Sequence, residues 1–205
     1  MKYSQYGEES IIESFFNGKR QGFVLDVGAA DGVSNSNSRY LITEFEWSGA
    51  LIEPHPSYFS KLEYMYKKHG NIKLFNLAVC DQVGTMPFFQ YGSDENGQVS
   101  TLSQDFKKRV SLVHGDEYHE PIMVNVVTLE SIFENLPFVD FLSVDCEGVD
   151  MLVLKSNNWE KYRPTLLCVE HSMPKEELDL FMRINQYNLL DRTIGNSFYV
   201  NNRKV

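Results

Sequence analysis

Two short segments concentrate the groups able to move a proton. Asp145-Cys146-Glu147-Gly148 follows an apolar run at 138–144, and Glu170-His171 follows another at 165–169. A positioned carboxylate or imidazole contributes about a hundredfold to ten-thousandfold in rate when a reacting group must lose a proton. Asp145 and Glu147 alternate with Cys146, so a strand continuing through them would present both on one face, with Gly148 letting the chain turn afterwards. His171 is the best base by its ordinary pKa. Asp145, Glu147 and His171 are therefore the candidate catalytic residues. The bland readings are a strand-end histidine and, for Glu147, a charge stabilising the helix dipole ahead of Asp150. A metal-free site is the primary expectation; the alternative has Asp145, Glu170 and His171 hold a divalent ion that fixes a diol oxygen.

A second constellation binds rather than reacts. The segment from Phe23 to Gly32, FVLDVGAADG, runs a hydrophobic strand into an acidic, glycine-containing turn. A pyrophosphate-binding turn needs close glycines and free backbone amides. Here Asp26 and Asp31 flank Gly28, and two carboxylates repel a pyrophosphate but attract a ligand carrying an ammonium and a sulfonium. This favours S-adenosyl-L-methionine over a nicotinamide dinucleotide. Glu53 closes the next apolar run, Leu51-Ile52-Glu53-Pro54, where an acid accepts hydrogen bonds from ribose hydroxyls in either ligand class. Asp81 closes Asn76-Leu77-Ala78-Val79-Cys80-Asp81; it is the candidate partner of an adenine amino group, with Ala78 and Val79 against the ring face. His55 reads as a surface loop histidine.

These residues need a scaffold that brings strand ends together. Near-continuous apolar runs at 22–27, 49–52, 72–79, 138–144 and 165–169 alternate with amphipathic segments at 36–45, 57–69, 129–134, 150–155 and 175–186. That alternation predicts a doubly wound α/β fold, a mostly parallel sheet covered on both faces. Segments 188–193 and 197–200 straddle Gly195-Asn196 and predict a terminal antiparallel hairpin. Residues 1–21 form a helical lead-in to a single domain spanning 1–205. Residues 82–127 form an irregular insertion shaping the acceptor pocket, with extra strands at 83–91 and 122–127 and a flexible loop at 92–97.

Composition narrows the partners. A net charge of -9, with no basic block longer than Lys107-Lys108-Arg109, offers little to a nucleic-acid backbone. No run approaches a membrane span. Cys80, Cys146 and Cys168 are isolated in sequence and read as small core residues, neither a zinc set nor a disulfide framework. With no apolar signal region in MKYSQYGEES, a reducing cytoplasm is the expected compartment.

Taken in order, these segments resemble the FkbM family of S-adenosylmethionine-dependent methyltransferases. The opening Ser4-Gln5-Tyr6-Gly7-Glu8-Glu9 is similar to its lead-in, Ser34-Asn35-Ser36 to its Ser-Asn-Thr step, and Trp47-Ser48-Gly49 with Ile52-Glu53-Pro54-His55-Pro56 to its second strand. Asn76 to Asp81, Val99-Ser100-Thr101-Leu102 and Leu142 to Gly148 complete the series. Ala30 stands where the family often has Asn. The resemblance implies a class I, Rossmann-like methyltransferase of seven strands, with donor contacts from Gln5, Asp26, Gly28, Glu53, Asp81 and Ser100, joined by Asp31, Pro54 and Ala78 around the same loops. It leaves the acceptor open. A hydroxyl on a small molecule or glycan is the leading expectation; a nicotinamide-dependent oxidoreductase and a noncatalytic nucleoside-binding module are the alternatives.

Overall fold

The computed structural model describes residues 3–92, 97–115 and 117–203. Helix α1 (Glu8–Phe16) precedes β1 (Phe23–Val27), α2 (Arg39–Phe45), β2 (Ser48–Ile52), α3 (Pro56–Tyr66) and β3 (Ile72–Phe75). Next come β4 (Ala78–Val79), β5 (Gly84–Phe88), α4 (Gln104–His114), β6 (Ile122–Val127) and α5 (Leu129–Phe133). The chain ends with β7 (Phe141–Val144), α6 (Asp150–Lys155), β8 (Leu166–Glu170), α7 (Lys175–Ile184), β9 (Tyr187–Arg192) and β10 (Asn196–Asn201).

The main sheet has seven strands in the order β3-β2-β1-β7-β8-β10-β9. Pairing is parallel from β3 through β8, and β10 then runs antiparallel to both β8 and β9. The α/β sheet with its terminal hairpin is thus as expected. Strand β1 explains its own central place. Val24, Leu25 and Val27 are fully buried or nearly so, because a central parallel strand is covered on both faces. Its side chains alternate. Val24 joins Leu41, Leu62, Phe141 and Phe198 on one face, while Leu25 and Val27 join Leu142, Val144, Leu129 and Val153 on the other. Asp26 falls on Val24's side, facing the start of α2.

The stretch at 72–79, expected as one strand, is two. Asn76 breaks it, and its side-chain amide donates to Glu53 O at 2.8 Å and Pro54 O at 3.3 Å, capping the end of β2. Beyond the break, β4 leaves the main sheet for a three-stranded one of order β4-β6-β5. The region at 82–127 is accordingly more ordered than its sequence suggested, and it includes the unanticipated α4. Ser103 caps that helix by accepting from Phe106 N, yet none of its residues is buried, so no apolar stripe announced it. The loop expected at 92–97 lies, in residues 93–96, outside the described residues. No helix among the described residues is long and apolar enough to cross a membrane.

Candidate active site

The chain winds outward from β1 to β3 and returns to β7, so the carboxyl ends of β1 and β7 diverge at the point where strand order reverses. Ligands of open α/β sheets bind there. Gly28 N and Ala29 N both donate to Ile52 O at 3.0 Å, and Asp145 N donates to Val27 O at 3.0 Å, so three chain segments meet at the first turn. Gly28 has φ 88°, and a Cβ on it would stand 1.8 Å from Asp145 O. Ala30 also has positive φ, 47°, a conformation that Asn tolerates better than Ala. An Asn here would relieve part of that conformational cost.

Above this turn lies a cavity of about 350 Å³. Asp26, Glu53, Asp145, Glu147 and Glu170 all line it, and no Lys, Arg or His does so among the described residues. Asp26 accepts a 2.5 Å hydrogen bond from Ser38 Oγ, and burial pushes its pKa up to about 6 against the opposing bonds from Ser38 and Ser143. Glu53 is held by backbone: Ala30 N donates to one carboxyl oxygen at 2.8 Å and His55 N to the other at 2.7 Å. Burial nevertheless pushes Glu53 up to about 7. An acid whose folded pKa exceeds its unfolded one stabilises the fold below the unfolded pKa, and that contribution is lost as pH rises through the folded value. The ligand-free protein should therefore be more stable near pH 5 than near pH 8. For Glu53, a rise from 4.5 to about 7 corresponds to about 3 kcal/mol. Denaturant unfolding at the two pH values should show a loss, shared with Asp26 and Asp145, that Glu53→Gln reduces by about that amount; an equally steep loss in the variant would overturn the assignment.

At the other lip, β7 ends at Val144 and the chain turns at once. Glu147 has φ 51° and Gly148 φ 95°, so the expected common strand face of Asp145 and Glu147 does not exist; a left-handed turn brings both to the cavity instead. Two contacts fix the turn. Thr101 Oγ1 donates to Glu147 O at 2.6 Å, and Phe106 fills the space beside Gly148, where a Cβ would meet its ring at 2.7 Å. Asp150, fully buried at the start of α6, accepts from Cys146 N at 2.8 Å and Gly148 N at 3.2 Å, with Ser172 Oγ as a further donor. Burial and the neighbouring Asp150 and Asp26 charges raise the Asp145 pKa. Burial, then Asp145 and Glu147, raise that of Glu170 still further. Glu170 thus keeps its proton and hydrogen-bonds to Asp145, leaving Asp145 as the group that titrates nearer neutrality.

His171 stands apart from this cluster. Its Nδ1 lies 3.2 Å from Ile194 O and its Nε2 2.7 Å from Ser197 Oγ, both on the hairpin side, and it does not line the cavity. Burial lowers its pKa. The reason is topological: β10 pairs with β8 with Asn196 opposite Glu170, which draws the next residue into the hairpin. The metal alternative changes accordingly. Asp145, Glu147 and Glu170 offer carboxylate oxygens within 4.8 Å of one another, and His171 is not among them.

Of the candidate donor contacts, Gln5, Asp26, Gly28, Glu53, Pro54, Ala78 and Ser100 line the cavity. Asp31 and Asp81 do not. Asp31 serves its own turn, accepting from Val33 N and Ser34 N at 2.8 and 2.7 Å. Asp81 is exposed beyond β4, beside the Cys80 thiol. His55 is the reverse case, buried rather than on the surface, with Gln90 Nε2 3.2 Å from its Nε2. Sequence reasoning missed Asn37 and Asn196, both buried and lining the cavity. Asn196 stood within a turn signal, so its side chain attracted no attention.

A sheet of this order, with a terminal antiparallel hairpin and a ligand cleft where the strand order reverses, defines a class I methyltransferase fold. Solved structures share it. They include methyltransferase FkbM from Methylobacillus flagellatus KT (TM-score 0.55, 16% identity, 87% of this chain and 43% of that one) and the METTL16 methyltransferase domain (0.54, 11%, 97% and 67%). A third is precorrin-6y C5,15-methyltransferase from Geobacter metallireducens GS-15 (0.50, 9%, 94% and 86%). The sequence matches the methyltransferase FkbM domain over residues 26–191, and the chain belongs to that family. It spans less than half the length of the M. flagellatus protein. No curated protein matches it.

Proposed function

We propose that the protein transfers a methyl group from S-adenosylmethionine to a hydroxyl of a small molecule or glycan. The observation that carries the donor is the lining of the cavity: five carboxyl side chains, of which Glu170 is protonated, and no cationic side chain among the described residues. A pyrophosphate would meet repulsion there, whereas an ammonium and a sulfonium meet attraction. A volume of about 350 Å³ falls within the usual range for small-molecule sites.

Glu53 would accept from the ribose hydroxyls, with Ala78 and Pro54 beside the nucleoside, and Asp26 with Gln5 would hold the amino-acid end. When bound, S-adenosylmethionine supplies a methyl already activated toward nucleophiles. What remains for the protein is alignment and proton removal. Asp145 is the group we assign to take the acceptor's proton. Glu170, protonated and bonded to it, orients it, and Glu147 faces the same space.

Calorimetry with S-adenosylhomocysteine tests the donor half. Glu53→Ala should weaken binding by roughly 1–3 kcal/mol, the scale of hydrogen bonds to a charged group. Unchanged affinity in a folded variant would sink the assignment. Stabilisation of the parental protein by NAD and not by S-adenosylmethionine or S-adenosylhomocysteine would favour the oxidoreductase reading instead.

A further inference from the structure

The lead-in before β1 lies outside the matched span of 26–191, yet Gln5 and Tyr6 form part of the cavity wall. The opposite edge of that wall is Gly195, in the turn between β9 and β10, and Asn196, the first residue of β10. The two edges touch. The Tyr6 ring lies so close to Gly195 that a Cβ there would stand 2.6 Å from it.

One side chain joins them. Glu8, the first residue of α1, is 0% exposed. One carboxylate oxygen accepts from Thr193 Oγ1 at 2.7 Å and from Asn196 Nδ2 at 3.0 Å; the other accepts from Tyr6 N at 2.8 Å. Burying a carboxylate is costly unless its oxygens are satisfied, and here the donors come from both ends of the chain. Gly7, at φ 88°, supplies the kink that turns Glu8 inward while Gln5 and Tyr6 remain at the cavity. On the outer side, Glu9 accepts from Tyr3 N at 3.2 Å and from Ser4 Oγ, so the two adjacent acids divide the work.

We propose that Glu8 is a positioning residue: a latch between the lead-in and the hairpin turn that holds Gln5, Tyr6 and Asn196 together as one wall of the donor site. The proposal rests on the donor reading above for the identity of the ligand. Glu8 itself does not line the cavity, and its effect passes through the residues it fastens. Loosening it moves both edges of the wall and speeds escape of the ligand.

The test measures S-adenosylhomocysteine affinity and dissociation rate. Glu8→Ala should raise Kd about tenfold or more, chiefly through faster dissociation, the scale of losing hydrogen bonds to a buried charge. Glu8→Gln, which keeps one acceptor oxygen, should fall between Glu8→Ala and the parent. Thr193→Val breaks the latch from the other side and should act in the same direction. Combined with Glu8→Ala it should add clearly less than it costs alone, since the bond between the two side chains is already gone and only the one from Asn196 N to Thr193 Oγ1 remains to be lost. Parental affinity and dissociation in either folded single variant, or additive effects in the double variant, would overturn the latch. Limited proteolysis of the ligand-free protein supplies an independent reading: cleavage ahead of β1 should accelerate in Glu8→Ala and in Thr193→Val, and unchanged cleavage would also overturn it. If the parent binds no S-adenosylhomocysteine, the donor reading fails, and proteolysis alone decides the latch.

Discussion

Gly28→Ala should leave little or no folded protein. The position combines a left-handed backbone, φ 88°, with a Cβ position 1.8 Å from the Asp145 carbonyl oxygen. The conformational term alone costs an Ala about 1 kcal/mol. The overlap is the larger effect, because neither party is the far end of a flexible side chain. Relieving it requires β1 and β7 to separate at their ends, breaking the bond from Asp145 N to Val27 O. Losses above about 4–5 kcal/mol are exceptional for one substitution, and this one belongs among them, on the order of a domain's whole stability. Gly70→Ala is the control, since a Cβ there meets nothing within 4 Å and its backbone has no left-handed φ. Denaturant midpoints for the two variants should differ widely. A Gly28→Ala protein as stable as Gly70→Ala would show that the turn is far more pliable than its packing implies.

The second large effect concerns turnover. With any accepted hydroxyl substrate, and with EDTA present throughout, Asp145→Asn should reduce single-turnover methyl transfer by about a hundredfold or more. S-adenosylhomocysteine affinity should stay nearly parental, because an interaction made in the transition state affects rate rather than uniform binding. Glu170→Gln should lower the rate less, since a neutral amide still donates a hydrogen bond to Asp145. Glu147→Gln tests whether the turn supplies a second acceptor of protons. His171→Ala should transfer at the parental rate and show its effect in thermal unfolding, because its ring serves Ile194 and Ser197. Parental transfer in Asp145→Asn would move the base elsewhere, and a hundredfold loss in His171→Ala would restore the histidine.

The strand ends that face the cavity were legible because they combine two independent signals, an apolar run and an acid close to its end. Asp26 and Glu53 carry both, and both face the cavity. Asp81 carries both as well, yet it is exposed. Its run, 72–79, is divided by Asn76 between two sheets, and periodicity alone cannot reveal a strand changing sheets. His171 misled for a related reason. Its neighbour Glu170 ends β8 at the cavity, but the strand paired with β8 comes from the far end of the chain, and only that pairing shows where the next side chain goes. Glu147 lines the cavity by another route than a shared strand face, through a left-handed turn that its sequence marks only by the following glycine. Helix α4 escaped notice because it buries none of its residues. Ser103, its cap, was the available clue.

The register of the sheet also governs how the chain is made. Strand β1 pairs on one edge with β2, a near neighbour in sequence, and on the other with β7, so that Val24 lies beside Phe141. A ribosome adding about 5–20 residues each second releases β7 roughly 6 to 23 seconds after β1. Throughout that interval this buried central strand has one open edge, a template on which any other nascent strand can add. An inward-pointing charge disfavours such addition, and Asp26 is the one charged residue of β1. Asp26→Val should accordingly raise the aggregated fraction in expression while leaving the yield of already folded protein on storage unaffected.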